Sequence, residues 1–280
     1  MSEGWSEVQR RRLQELEADA DALARRFQDA EQRNRAFQQL ERQLARRRRA
    51  DLQEFLTRRL RPRLALLQGR LEEALNALGF SQMVTPTLIS RGDLARMSIG
   101  RDHAFSEQVF WVDSRRCLRP MLAPNLYRLM RHLARLQPGP VRIFEVGSCF
   151  RRETGGARHT SEFTMLNLVE MRVPEERRRQ RLEELAAAVM QAAGIEDYRL
   201  ETETSEIYGR TTDVVAGPDG LEVASCAMGP HPLDGAWGIV DSWVGLGFGL
   251  ERLLMVREGG TSIGRWCRSH AYLDGIRLTL

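Results

Sequence analysis

Two segments with apolar strand patterning, VRIFEVGSCFRRE (141–153) and EFTMLNLVEM (162–171), flank a polar loop rich in Gly, Arg and His. A loop that short closes a hairpin but does not carry the crossover that parallel neighbours need, so the pair predicts a long antiparallel ladder. The pattern continues downstream. YRLETET (198–204), TTDVVAG (211–217) and LEVASCAMG (221–229) read as strands, the last two parted by the turn Pro218-Asp219-Gly220, and WVGLGFGLERLLMV (243–256) runs from strand into helix. Upstream, FSQMVTPTLIS reads as a strand interrupted by Pro86, and EQVFWVD and CLRPM as two strands around a turn at Ser114 to Arg116. Strands joined mostly by hairpins predict an α+β core, an antiparallel sheet with helices on one side, over a doubly wound parallel sheet.

Helical periodicity dominates the first quarter. Leu13, Leu16, Ala20, Leu23, Phe27 and Ala30 recur at alternating spacings of three and four, a helical seam, and a second short helix carries Phe37, Leu40 and Leu44. After Pro62, Leu64, Leu67, Leu71, Leu75 and Leu78 mark a buried stripe that Gly79 is placed to end. Further helices are expected from Pro124 to about Leu136 and over residues 175–193. Residues 1–70 hold 17 arginines against 11 acidic residues, so +6 of charge sits in a chain whose net charge is +4. The run Arg46-Arg47-Arg48-Arg49 reads either as a solvated helix face or as a contact to RNA phosphates. Residues 1–50 are accordingly expected to form a helical arm, and 51–280 the second domain.

Composition excludes several chemistries. All 42 basic residues are arginine, which removes Schiff-base chemistry, a lysine nucleophile and a Walker-type phosphate lysine. Cys117, Cys149, Cys226 and Cys267 lie far apart without a CxxC or Cys/His cluster, so free, mostly buried thiols are expected in place of disulfides or structural zinc. No credible Ser/His/Asp or Cys/His arrangement occurs. No stretch approaches the ~20 apolar residues of a bilayer span, and the N-terminus lacks the apolar run of a secretory signal, so a soluble cytoplasmic protein without membrane partners is expected.

Two constellations point to chemistry. Gly245, Gly247 and Gly249 in GLGFGLER suit either close strand and helix packing or a nucleotide cradle, and Arg252 just inside the following helix favours a phosphate there. In the long hairpin, Arg151 and Glu153 stand two apart on a strand and address one side together. Phe163 on the return strand offers an aromatic face to a base, and His159 in the loop a donor to a phosphate. Any one of these alone reads equally as a surface ion pair over a core phenylalanine.

Together the pieces read fRxE, a loop, HxxxF and, some 80 residues later, GxGxGxER, which resembles motifs 2 and 3 of the class II aminoacyl-tRNA synthetases. The helix ending at Leu78 and the strand proline Pro86 resemble motif 1, although Pro86 alone reads as an edge-strand proline. The longer strings LRPMLAPNLY, IFEVGSCFRRE, EFTMLNLVEM, ASCAMGP and GFGLERLL resemble the pyrrolysyl-tRNA synthetase family from about residue 60 onward. The first 50 residues are more loosely similar to the helical extension of its compact forms, which lack a separate N-terminal tRNA-binding domain.

The resemblance implies a class II core, an antiparallel sheet flanked by helices, in an ATP-dependent ligase that charges the amber-decoding tRNA(Pyl) with pyrrolysine. It implies Arg151 on the α-phosphate of ATP and Arg252 near the γ-phosphate, these two being the catalytic pair. Adenine would lie between Phe163 and Arg252 with Glu153 at its amino group, and His159, Thr160 and Gly249 would complete the ATP site. Glu222 and Ser225 match the positions that hold Mg2+. Asn167 would hold the carbonyl of the substrate's N-acyl lysine side chain and Tyr208 would cap its ring. Ala123, Leu126, Tyr127, Met130, Val169, Ala227, Trp243 and Gly245 would line the remaining pocket, where each alone reads as core packing.

A homodimer, and in some members a separate small tRNA-binding protein, are implied as partners. Met130, Val169, Ala227 and Thr160 depart from the best-known members, which implies an altered substrate preference. Two alternatives stand beside this reading: a catalytically silent paralogue, disfavoured by the intact Arg151, Glu153, Phe163, Glu222 and Arg252, and a carboxylate-activating ligase without tRNA, disfavoured by the basic arm.

Overall fold

Short polar side chains set the helix starts in the first sixty residues. Ser6 caps α1 (Glu7–Glu15) in a reciprocal box with Gln9, Asp19 caps α2 (Ala20–Ala24) and Asp29 caps α3 (Ala30–Thr57). The two aspartates each accept a backbone N–H at 2.7 Å, from Ala22 and Gln32, satisfying donors that a helix start otherwise leaves orphaned. The helical seam is therefore broken between Leu13 and Ala30, with Glu17 in the left-handed region at φ 59°. The expected short second helix is instead 28 residues long, because nothing between Ala30 and Thr57 breaks it. Leu13, Leu16, Ala22, Leu40 and Leu44 still bury together, beside Trp5, whose ring lies 4.4 Å from that of Phe27 and tilted by 56° to it.

The computed structural model describes residues 3–136, 138–152, 156–157, 159–205 and 207–279. The chain divides into two compact units, Met1–Pro62 with Arg268–Leu280, and Arg63–Cys267. The boundary expected at residue 50 falls inside α3, and the end of the chain returns to the first unit as a hairpin of Tyr272–Leu273 with Ile276–Arg277. Arg277 is ion-paired with Glu15 there.

In the second unit α4 (Arg63–Ala77) buries Leu67, Leu71 and Leu75, and Gly79 at φ +81° turns the chain after it. Then come β1 (Ser81–Gln82), β2 (Leu88–Ser90), α5 (Arg91–Arg96), β3 (Arg116–Leu118), α6 (Ala123–Leu133), β4 (Val141–Phe150) and β5 (Glu162–Met171). They are followed by α7 (Arg178–Ala193), β6 (Tyr198–Ser205), β7 (Gly209–Ala216), β8 (Leu221–Gly229), α8 (Asp234–Trp237), β9 (Trp243–Gly249) and α9 (Leu250–Arg257). One seven-stranded sheet has the order β1-β4-β5-β9-β8-β7-β6, antiparallel except for β1 against β4. The β4–β5 hairpin pairs at all ten positions, from Val141↔Met171 to Phe150↔Glu162.

Two sequence expectations change. EQVFWVD is not a strand: Ala104–Gln108 form a 3-10 turn, and β3 pairs with β2, leaving a single bridge from Trp111 to Cys117. Helices also cover both faces of the sheet, because its central strands are apolar on both. Phe144 and Leu168 face α4, α7 and α9, while their neighbours Ile143 and Val169 face Leu126 and Met130 of α6 and Trp237 of α8. Among the described residues no helix is long and apolar enough to cross a membrane.

The segment around Pro86 is tied to the sheet by a buried ion pair. Arg119 and Glu145 meet at 2.7 Å with side chains 4% and 2% exposed. Glu145 also accepts the N–H and hydroxyl of Thr85, at 3.1 and 2.6 Å, and Arg119 donates to the carbonyl of Ser148 at 2.8 Å. A Cβ on Gly147 would collide with the Arg119 guanidinium, which explains glycine in mid-strand. Removing one partner strands a buried charge, so Arg119→Ala or Glu145→Ala is expected to lose about 3 to 5 kcal/mol, read from the urea unfolding midpoint.

Candidate active site

Strand alternation builds the floor. Phe163, Met165, Asn167 and Val169 point from β5 to the face opposite α4, α7 and α9, and beyond Trp243 that face of β9 carries Gly245, Gly247 and Gly249. Register then lines up Asn167, Gly247, Ser225 and Asp213 in one row across four strands, and Val169, Gly245 and Ala227 in the next. Above this floor lies a cavity of about 460 Å³. Helix α6 walls one end with Ala123, Leu126, Tyr127 and Met130, joined by Trp243 and by Tyr208 from the β6–β7 loop. Arg151, His159, Thr160, Glu222 and Arg252 lie at the Phe163 end, six residues and roughly 20 Å along β5 from Val169. Every site residue named from the sequence lines this cavity except Glu153, which lies outside the described residues.

At the polar end the guanidiniums are held. Arg151 Nε donates to the carbonyl of Pro120 at 2.9 Å, and its guanidinium lies over the rings of Phe105 and Phe163, 5.3 and 5.1 Å from their centroids. Arg252 Nη1 donates to the Glu222 carbonyl at 2.9 Å and pairs with its carboxylate at 3.4 Å. A bulge brings Glu222 to this face. On an even strand Glu222 and Ser225 would point apart. Val214 pairs with Ala224 while its neighbour Val215 pairs with Glu222, so Val223 is the extra residue and reverses the alternation. Val223 and Ala224 are consequently both buried on the helix side, and Glu222 and Ser225 both line the cavity. Ser225 Oγ donates to Asp213 Oδ1 at 2.7 Å. Hard oxygen donors of this kind suit a divalent cation such as Mg2+.

The other end is apolar with three unsatisfied polar atoms. Asn167 Oδ1, the Tyr127 hydroxyl and Thr211 Oγ1 are buried without a hydrogen-bond partner among the described residues. Such atoms cost stability unless a ligand meets them. Tyr127 stacks on Trp237 at 5.5 Å and meets Trp243 edge-on at 5.6 Å, and burial pushes its phenol well above the usual range. Burial likewise pushes Cys149 up to about 12 and Cys117 to about 11, and raises the cavity thiol Cys226, so these cysteines are not nucleophiles.

Some contributors escaped the sequence reading. Asp213 reaches the site only through the β7–β8 register, which no local pattern encodes. Glu251 is 1% exposed and accepts the Thr164 N–H with both oxygens at 2.9 Å, fastening α9, and so Arg252, to β5. Its signal was an acid in the first turn of a helix that should otherwise be apolar at that position. Gly247 was noted as part of a glycine run, but its task is specific: a Cβ there would stand 3.0 Å from Asn167 Oδ1. Gly247→Ala is expected to fold with an unfolding temperature within ~4 °C of the parent and to show the Asn167 amide displaced in its crystal structure.

Residues 48–269 match the family model for the class II core domain of tRNA synthetases (F). Among solved structures, the pyrrolysyl-tRNA synthetase from Desulfitobacterium hafniense is 52% identical with a TM-score of 0.91, covering 100% of both chains. The D. hafniense pyrrolysyl-tRNA synthetase PylSc is 51% identical with a TM-score of 0.88, over 100% of this chain and 96% of that one. With this identity along its whole length and the cavity just described, the chain belongs to the class II aminoacyl-tRNA synthetases, in the pyrrolysyl-tRNA synthetase family.

Proposed function

We propose that this chain activates pyrrolysine with ATP in the cytoplasm and transfers it to the 3′ end of tRNA(Pyl). The observation that carries the substrate is the unpartnered amide of Asn167, set in an apolar cavity and given room by Gly247. A long side chain with an amide midway fits that surface: Asn167 Nδ2 would donate to its acyl carbonyl and the orphaned Oδ1 would accept its N–H. Tyr208 would cover the distal ring, while Leu126, Met130, Val169 and Ala227 would set how bulky it can be.

At the other end ATP would bind across the glycine-bare floor. Arg151 would hold the α-phosphate, Arg252 the γ-phosphate and one side of the adenine, and Phe163 the other side. His159, Thr160 and Gly249 would border the phosphates, and Glu153 would meet the adenine amino group. Glu222 and Ser225 would hold Mg2+, which supplies positive charge beside the phosphates. The amino acid carboxylate then attacks the α-phosphorus in line, and pyrophosphate leaves. Arg151 gains charge to neutralise in the transition state, so no protein base is needed.

ATP–pyrophosphate exchange with pyrrolysine, an N-ε-acyl lysine and the twenty standard amino acids tests this directly. Exchange is expected with the lysine derivatives only; exchange with a standard amino acid overturns the substrate, and silence in folded protein favours a non-catalytic paralogue. Arg151→Ala is expected to lower kcat by about 10²-fold or more, since it removes a donor aimed at developing charge.

For tRNA, the exposed Arg46, Arg47 and Arg49 of α3 are the phosphate contacts we favour. Arg48 is already bound to Glu17 at 2.7 Å and Asp51 at 3.0 Å. Replacing Arg46, Arg47 and Arg49 by Gln is expected to weaken tRNA binding and flatten its salt dependence by about 0.7 to 0.9 per lost contact; unchanged slopes would remove the arm from the interface. Charging by the purified chain alone measures whether a separate tRNA-binding protein is required. The exposed Val84 and Val112, beside the segment carrying Pro86, suit a homodimer contact that sedimentation would report.

A further inference from the structure

We propose that His231 is a positioning residue that latches the β6–β7 loop, and with it Tyr208, over the amino-acid end of the cavity. The assignment rests on the pyrrolysine reading for its substrate but on the geometry alone for the latch. Tyr208 sits in the turn between β6 and β7, where its backbone N–H and that of Ile207 reach only Ser205 Oγ, at 3.3 Å each. Those bonds lie within the turn, while the side chains of Ile207 and Tyr208 pack against the apolar cluster that includes Tyr127 and Trp243. A polar anchor comes from outside the turn: His231 Nε2 stands 2.7 Å from the Tyr208 carbonyl, with the two rings 5.6 Å apart.

The tautomer follows from the bonds. His231 Nδ1 accepts the Leu233 N–H at 3.2 Å, so Nε2 carries the ring proton and donates it to the Tyr208 carbonyl. The imidazole is itself fixed. Its backbone N–H donates to Asp234 Oδ2 at 2.7 Å, and buried Asp234 also accepts the Trp243 indole N–H at 3.1 Å from each oxygen. A chain of bonds thus runs from Trp243 in the pocket wall through Asp234 and His231 to the loop that bears Tyr208. The wall and the cap are thereby coupled.

Two substitutions separate the latch from the local turn. In His231→Asn the amide oxygen can replace Nδ1 toward Leu233, but no donor reaches Tyr208. In His231→Gln the longer amide keeps a donor at the Nε2 position and gives up the turn. The first measurement needs no substrate: hydrogen exchange of peptides covering residues 207–210 in the free protein. We expect exchange to quicken about 3- to 10-fold in H231N and to stay within twofold of the parent in H231Q, the size of one lost hydrogen bond. Equal exchange in H231N and parent overturns the latch, and so does quickening in H231Q alone, which would make the residue a turn cap only.

The second measurement is the exchange assay with the N-ε-acyl lysine. H231N should raise the amino-acid KM about 3- to 10-fold with the ATP KM unchanged, and that increase should vanish in a Tyr208→Ala background. A KM effect that persists without Tyr208, or that falls equally on ATP, overturns the role of the latch in substrate capture. If exchange at 207–210 quickens as expected while the parent activates no lysine derivative, the latch stands and the pyrrolysine reading fails.

Discussion

The site depends on one strand being two different surfaces. β9 turns Val244, Leu246 and Phe248 toward α4, α7 and α9, where all three are buried, and turns Gly245, Gly247 and Gly249 the other way. The apolar face fixes register, because a slip by one residue would expose the whole set. The bare face then becomes a trough with rigid walls. Side chains from β5 and β8 border it at known rows, so the Asn167 amide and Ser225 hydroxyl stand on opposite sides of Gly247. A side chain at 247 would meet Asn167 at 3.0 Å, and one at 245 would meet Trp243 at 3.1 Å. The glycines therefore cost strand stability and return a cavity whose dimensions are set by backbone spacing.

A second constraint links the edge of this unit to its centre. The buried Arg119–Glu145 pair ties the Thr85–Pro86 segment to β4, and the residue after Arg119 offers the carbonyl that receives Arg151 Nε. Paired burial of this kind adds little net stability, since desolvation offsets attraction. Its value is geometric. Four acceptors, the Ser148 carbonyl, the carbonyl and hydroxyl of Thr85, and Glu145, determine where the guanidinium of Arg119 lies and so where Pro120 and Arg151 follow.

Legibility in the sequence tracks locality. The β4–β5 hairpin is legible because both strands are apolar and their partners are adjacent in the chain, although β4 ends at Phe150 and does not run on through Arg151 and Arg152 as the pattern suggests. The site could be named because its motifs are long strings, and nearly all of those residues do converge on one cavity. Failures fall where a distant partner decides. EQVFWVD alternates like a strand, yet its first residues are wound into the 3-10 turn Ala104–Gln108 and the rest meets β3 at the Trp111–Cys117 bridge alone. Glu222 and Ser225 share a face only through the bulge at Val223, which exists in the β7–β8 register and in no local pattern. The seam in the arm looked continuous because apolar spacing survives across α1 and α2, while the capping aspartates that divide it read as ordinary surface acids.

The absence of lysine takes on meaning at particular positions. An ammonium presents three donors around one point, whereas a guanidinium presents a planar fork that serves acceptors in several directions. Arg172 uses that fork fully, reaching Asp241 at 3.2 Å, the Gly139 carbonyl at 2.8 Å and the Ala134 carbonyl at 2.6 Å. Arg119 does the same at the sheet edge, and Arg151 combines a carbonyl bond with stacking on two phenylalanines. Lysine would fail at each of these places for want of shape, not charge. Along the exposed face of α3, by contrast, Arg46 and Arg47 meet only the requirement of positive charge, and there a lysine would serve a phosphate equally. Composition alone therefore says little; the geometry at Arg119, Arg151 and Arg172 is what makes arginine indispensable.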